Sequence, residues 1–224
     1  MIQDKLFASG EGDNWYIRNR TALSKSDKID WPLFLFDKID ARDSIDSVIE
    51  LGCSNGFRLA RIKQHLPQAR CVGVDASTEA IVNGASLFPD LELHHGVLAD
   101  PPVSGQFDLV IVNYVMHWID RSTLARSISV IDGFVKDGGL LILGDFLPDF
   151  QQRRRYHHLP DQQVFTYKQD YPALFTALGL YKEVARYTYD HDTPDSYTLK
   201  AALSSSRGVC SLLHKSFEDY YPEV

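Results

Sequence analysis

Two hydrophobic periods alternate along most of this chain. "SVIEL" (47–51) is a short apolar run that stops at Gly52, the mark of a buried strand. Leu59, Ile62 and Leu66 then fall on one helical face, and Pro67 ends that pattern. "RCVGVD" (70–75) is the next strand. Ser77 suits a helix cap for a segment through about Leu87, with Glu79 in its favoured first turn. "LELHH" (91–95) reads as a third strand, and "FDLVIVN" (107–113) as a fourth, apolar enough to be central. Leu124, Ile128, Ile131 and Val135 mark a helix face, "KDGG" (136–139) a turn, and "LLILGDF" (140–146) a fifth strand. Strand–helix alternation at this spacing predicts an α/β domain, a doubly wound parallel sheet with helices on both faces. Such sheets bind ligands at the carboxyl ends of their strands, so the residues just after each strand carry the interest.

Both ends depart from the alternation. Residues 171–178 predict a short helix with Pro172 in its first turn and Gly179 at its stop. "YKEVARYTY" (181–189) and "SYTLKAAL" (196–203) predict two strands whose short Pro- and Asp-containing link allows only antiparallel pairing. Residues 1–46 precede the first strand and predict helices over its mouth; Asp30 and Pro32 suit a helix start before "LFLFDKI". The expected organisation is a helical cap over 1–46, a binding domain over 47–203 and a tail over 204–224.

Composition narrows the function. The 224 residues are 44% hydrophobic, enough for one sizeable core. A net charge of −7 supplies no bulk electrostatic footprint for nucleic acid and favours a small-molecule substrate. Cys53, Cys71 and Cys210 have no paired spacing, which argues against disulfides and structural zinc and fits a reducing cytoplasm. "MIQDKLFASGEGDNWYIRNR" (1–20) has no apolar leader core, and no apolar run reaches the ~20 residues of a membrane helix. The expectation is a cytoplasmic protein without nucleic-acid, membrane or metal partners; monomer and dimer both remain open.

"VIELGCSNG" (48–56) admits three readings. Gly52, Ser54 and Gly56 fit the serine elbow of a hydrolase, but no histidine precedes His65 to build the upstream oxyanion loop, and the elbow normally follows a later strand. A nicotinamide loop would put Asp75 on a ribose, but Phe57 stands where the third glycine of that loop packs helix against strand. The third reading is a loop for S-adenosylmethionine. Glu50, a carboxylate inside an apolar strand, suits that molecule's cationic groups. Amides at the helix start suit its carboxylate, and Asp75 its ribose hydroxyls.

With these residues in view, the chain resembles the class I S-adenosylmethionine-dependent methyltransferases. "VIELGCSNG" looks like their first motif, "VGVDAS" (72–77) like the ribose motif, "FDLVIVNYVMHWI" (107–119) like the fourth-strand motif, and "VKDGGLLIL" (135–143) like the turn into the fifth strand. The resemblance covers about residues 45–203. It implies a Rossmann-like seven-stranded sheet, order 3-2-1-4-5-7-6 with strand 7 antiparallel, under an N-terminal helical lid. It also implies a methyltransferase that uses S-adenosylmethionine and releases S-adenosylhomocysteine. Two departures stand out. Ser54 replaces the usual middle glycine and can still serve if that backbone position does not demand positive φ. Val97 stands where family members often carry an acid near adenine, leaving adenine to apolar and backbone contact or to Asp100. These departures keep a non-catalytic binding module as the alternative, with a nicotinamide oxidoreductase behind it. "GDNWYIRNR" (12–20) and "YHHLPDQQVFTYKQDYPALF" (156–175) further resemble small methyltransferases associated with surface-polysaccharide and nonulosonate sugars, which implies a sugar or nucleotide-sugar acceptor.

The expected cofactor contacts are Glu50, Gly52, Cys53, Ser54, Gly56, Asp75, Ala76, Leu98, Asn113 and Tyr114. His117, after the fourth strand, is the first candidate base, against a locally bonded helix-start histidine. Asp145, ending the fifth strand, is a second catalytic candidate, against a turn-stabilising aspartate. Trp15, Arg18, Arg153, His157, Tyr167 and Tyr171 are the expected substrate contacts. Arg153, Arg154 and Arg155 form either an anion grip or a solvated helix face.

Overall fold

The computed structural model describes residues 2–24, 29–192 and 206–223. Its strands are β1 (Ser47–Leu51), β2 (Arg70–Asp75), β3 (Glu92–His95), β4 (Phe107–Asn113), β5 (Val135–Phe146), β6 (Gln152–Arg155), β7 (Phe165–Lys168), β8 (Tyr181–Asp190) and β9 (Arg207–Lys215). Its α-helices are α1 (Ile2–Leu6), α2 (Gly12–Ser24), α3 (Trp31–Phe36), α4 (Phe57–His65), α5 (Thr78–Leu87), α6 (Leu124–Phe134) and α7 (Pro172–Thr176). Seven strands form one sheet in the order β3-β2-β1-β4-β5-β9-β8, and β6 and β7 form a separate hairpin. This is the expected topology: β9, antiparallel to both neighbours, holds the place of strand 7, and β8 that of strand 6.

The apolar runs are continuous because the sheet is covered on both faces. Along β4, Leu109 and Ile111 join one core with Leu59, Ile62 and Phe36, while Val110 and Val112 join the other with Ile131, Phe134 and Phe175. The helix starts follow their caps. Asp30 accepts the Leu33 amide at 3.1 Å, and Ser77 Oγ accepts the Ala80 amide at 3.0 Å.

Three expectations change. The segment after 204 is not a tail: Val209, Cys210 and Leu213 are fully buried in β9, between β5 and β8. "GVCSLL" (208–213) is itself a strand-like apolar run; the strand expected over 196–203 lies outside the described residues. Second, 136–139 do not separate helix from strand. Phe107 pairs with Val135 and Leu109 with Leu140, so these residues bulge out of β5 around Gly138 at φ +74°. Third, Arg153–Arg155 lie on the hairpin strand β6 rather than on a helix.

The N-terminal helices are fastened to the sheet's ligand edge. Asp13 accepts from Ser77 Oγ at 2.7 Å and from the Glu79 amide at 2.9 Å, and Tyr16 donates to Asn83 Oδ1 at 2.7 Å. Gln3 reaches the carbonyls of Trp118 and Phe165 at 2.6 and 2.7 Å.

Candidate active site

The loop after β1 is shaped by close approach. Gly52 has φ +80°, and a Cβ there would stand 2.1 Å from Val115 Cγ2, so only glycine fits. Ser54 sits at φ +53°, so this position does demand the left-handed region, and the departure from glycine strains the backbone by roughly 1 kcal/mol. The Ser54 amide donates to Asp75 at 2.7 Å, as does the Ser77 amide at 2.8 Å, tying the ends of β1 and β2 together. Burial pushes the Asp75 pKa up, and these two amides pull it back.

Above the loop lies a cavity of about 320 Å³. Gly52, Cys53, Ser54, Asp75 and Ala76 line one side, and Leu98, Asn113 and Tyr114 line the other. Ser54 Oγ and Asn113 Oδ1 are buried in this wall without a hydrogen-bond partner among the described residues. Gly56 stands behind it as the left-handed N-cap of α4. Val97 also lines the cavity, whereas the Asp100 side chain is 80% exposed and pairs with Arg126 at 2.9 Å. Of the two residues, Val97 is therefore the one at the cavity, and Asp100 is turned to solvent.

Glu50 does not line the cavity. Fully buried, it is held by the Arg58 guanidinium, which also bonds Asp30 at 2.9 Å. Burial raises Glu50 to about 7, with Arg58 opposing the rise. Sequence reasoning missed Arg58, though a signal existed: a cation in the first turn of a helix opposes the helix dipole and needs partners.

His117 and Asp145 meet although 28 residues separate them. Asp145 Oδ1 lies 2.9 Å from His117 Nδ1, and Asp145 Oδ2 accepts the His117 amide at 3.1 Å. Both are buried, and His117 faces a second cavity of about 670 Å³. The two cavities share walls at Trp15, Arg58, Asn113, Tyr114, Trp118 and His191. The aspartate thus supports the histidine rather than a turn before Pro148.

The expected substrate contacts divide. Trp15 lines both cavities, and His157 lines the second. Arg18 does not; its guanidinium is taken by Glu11 and the Tyr156 hydroxyl, each at 2.5 Å. Tyr171 is fully buried in the core, with its hydroxyl on the Tyr167 carbonyl at 2.5 Å. Tyr167 carries Arg121 over its ring at 4.4 Å, and Arg153 packs over Phe165 at 5.0 Å; neither lines a cavity. The strand explains the arginines: alternate side chains point to opposite faces, and Arg154, paired with Thr166, faces the cavity. His191, in the loop after β8, was missed, because no local pattern places that loop over β4. Among the described residues, no group of three or more His, Cys, Asp or Glu is arranged to hold a metal, and no helix is long and apolar enough to cross a membrane.

Comparison with known proteins agrees with this geometry. Residues 49–141 match the methyltransferase domain family. The chain is 26% identical over 117 residues to a malonyl-[acyl-carrier protein] O-methyltransferase of Halalkalibacterium halodurans, covering 49% of this chain and 42% of that one. It is 35% identical over 83 residues to a trans-aconitate 2-methyltransferase of an Azoarcus species, covering 37% and 33%. The matched segments thus span less than half the length of these relatives. Among solved structures, a Burkholderia thailandensis 1,6-didemethyltoxoflavin-N1-methyltransferase with bound S-adenosylhomocysteine superposes with a TM-score of 0.70. It covers 95% of this chain and 89% of that one at 12% identity.

Proposed function

We propose, for a chain that carries a methyltransferase domain on the fold of the class I S-adenosylmethionine-dependent methyltransferases, that it transfers a methyl group to a small-molecule acceptor. The observation that carries this reading is the pair of contiguous cavities at the carboxyl ends of β1, β2 and β4. The first fits the cofactor. Asp75 offers a carboxylate to ribose hydroxyls, Val97 and Leu98 an apolar wall to adenine, and Ser54 and Asn113 unused polar atoms to the amino-acid end. When bound, S-adenosylmethionine supplies an electrophilic methyl group on a sulfonium.

The second cavity receives the acceptor. Asp145 accepts a hydrogen bond from Nδ1–H of His117 and so fixes the tautomer that leaves Nε2 to accept a proton from an acceptor hydroxyl or amine. Trp15, Trp118 and Tyr114 close the shared wall and exclude water from the reacting atoms. The finer reading is a sugar or nucleotide-sugar acceptor. It is supported by the two segments that resemble sugar-associated methyltransferases, since 12–20 and 156–175 both contribute walls to this cavity.

A methyl-transfer screen by mass spectrometry tests the reading. The protein is incubated with isotopically labelled S-adenosylmethionine and a panel of nucleotide sugars, free sugars and hydroxy acids. A labelled product is expected. Failure of S-adenosylhomocysteine to bind the folded protein sinks the cofactor assignment; binding without any sugar product sinks the finer acceptor.

A further inference from the structure

The junction of the two cavities is built from rings. Four of the eight described residues that line both are Trp15, Phe57, Tyr114 and Trp118, in a chain that is 12% aromatic. Two of these rings are braced by others. Trp118 packs on His117 at 4.7 Å and on Tyr156 at 4.8 Å, and Tyr114 on Phe146 at 5.2 Å and on His191 at 4.7 Å. The other two are not. Among the described residues neither Trp15 nor Phe57 packs against another aromatic ring, and Phe57 has the Arg58 guanidinium 5.3 Å from its centre. Both are only half-buried. Phe57 opens α4 at the position where a dinucleotide loop carries a glycine, so a ring stands at the junction in place of close helix–strand packing.

Two half-buried rings in a cavity wall leave apolar surface in water, and a flat apolar partner covers the most of it. The wall continues in the same chemistry on the α2 and α3 side of the second cavity, over Ala22, Ile29, Trp31 and Pro32, while Arg154, His157 and Lys168 lie on the hairpin side. Polar groups at the junction are few and committed. Arg58 is held by Glu50 and Asp30, and Asn113 serves the amino-acid end of the cofactor. A hydroxyl-rich ring placed here gives up water without gaining partners, whereas a conjugated ring has no hydroxyls to strand. The second cavity, about 670 Å³ against about 320 Å³ for the first, has room for such a ring together with the group that reacts at His117.

We propose that the acceptor carries a planar conjugated ring, held at the cavity junction against Trp15 and Phe57, with its reacting atom at His117. This assignment rests on the methyltransferase reading and adds a requirement which that reading does not contain. A nucleotide sugar meets it through its base, and a phenol or a heteroaromatic molecule through its own ring. A free sugar does not meet it. Base and arene share the chemistry that these side chains recognise, a flat face of delocalised electrons.

The test is calorimetric binding to protein saturated with S-adenosylhomocysteine. The probes are uridine for a base, 4-hydroxyquinoline for an arene and glucose as the control without a conjugated ring. At least one ring-bearing probe is expected to bind at least ~10-fold more tightly than glucose, and added salt leaves its affinity level because the probes are neutral. Its affinity falls about 10-fold in Trp15→Ala and at least ~3-fold in Phe57→Leu, and Trp15→Phe, which keeps a ring, stays within about 3-fold of wild type. The probe that binds identifies the source of the ring. Glucose binding as tightly as both ring-bearing probes, no binding by either of them, or ring-probe affinity unchanged in Trp15→Ala or in Phe57→Leu overturns the proposal. S-adenosylhomocysteine affinity is measured separately on each protein. Retained affinity shows that a variant is folded, and its absence in the wild type defeats the methyltransferase reading rather than the ring site, whose probes are then read on the protein alone.

Discussion

The two cavities meet at Asn113 and Tyr114 but are built on different principles. The first is made by backbone and by residues next to strand ends: a glycine loop, an aspartate ending β2, apolar side chains after β3. Its shape follows from the crossover connections of a parallel sheet. The second is assembled from α2, α3, the β6–β7 hairpin and the loop after β8, which the chain brings together from all along its length. The first is largely apolar with a few fixed polar atoms; the second is lined by more polar and charged side chains, among them Asp30, Arg58, His117 and Lys168. One side fits a cofactor that many proteins share. The other is shaped by segments that a fold can exchange without disturbing its sheet.

The sharpest way to separate them is to remove the base. His117→Ala is expected to lower kcat by about 10²–10⁴-fold, the usual contribution of a positioned general base. It leaves S-adenosylhomocysteine affinity within twofold, because His117 lines only the second cavity. Loss of cofactor binding in that variant breaks the division. The converse is Asp75→Ala, expected to weaken S-adenosylhomocysteine by about 10–100-fold, the loss of charge-assisted hydrogen bonds. The KM for the acceptor found in the methyl-transfer screen, measured at saturating S-adenosylmethionine, should change little. Equal damage to both ligands makes the cavities one site.

Legibility in the sequence follows the same division. The first motif, Asp75 and the strand-end pair Asn113–Tyr114 were readable because local spacing places them. The contact between His117 and Asp145 was half readable: each was a candidate, but only the pairing of β4 with β5 brings them together. Arg18, Tyr167 and Tyr171 were misjudged because the direction of a side chain depends on tertiary packing, which turned the first to Glu11 and the last into the core. Glu50 was correctly marked as unusual, but its partner is Arg58, eight residues on, rather than a ligand. The last strand was misplaced because two neighbouring segments have strand character and the spacing rule does not choose between them.

The smallest effect concerns Ser54, one of the two places where the first cavity departs from the family's pattern. Ser54 holds φ +53°, and its hydroxyl has no partner among the described residues. Two consequences compete. If the serine is only tolerated, Ser54→Gly relieves left-handed strain, and relief of about 1 kcal/mol raises Tm by about 2–4 °C in a domain of this size. The added freedom of glycine in the unfolded chain takes back part of that gain. If the hydroxyl instead bonds the cofactor's amino-acid end, the same variant loses about 0.5–1.5 kcal/mol of S-adenosylhomocysteine affinity. Thermal melts with and without S-adenosylhomocysteine separate the two. A gain that survives saturation marks the serine as a backbone compromise. A gain in the free protein that shrinks or reverses on saturation marks it as a contact, and the polar atoms of the first cavity then include one that a glycine at this position would not supply.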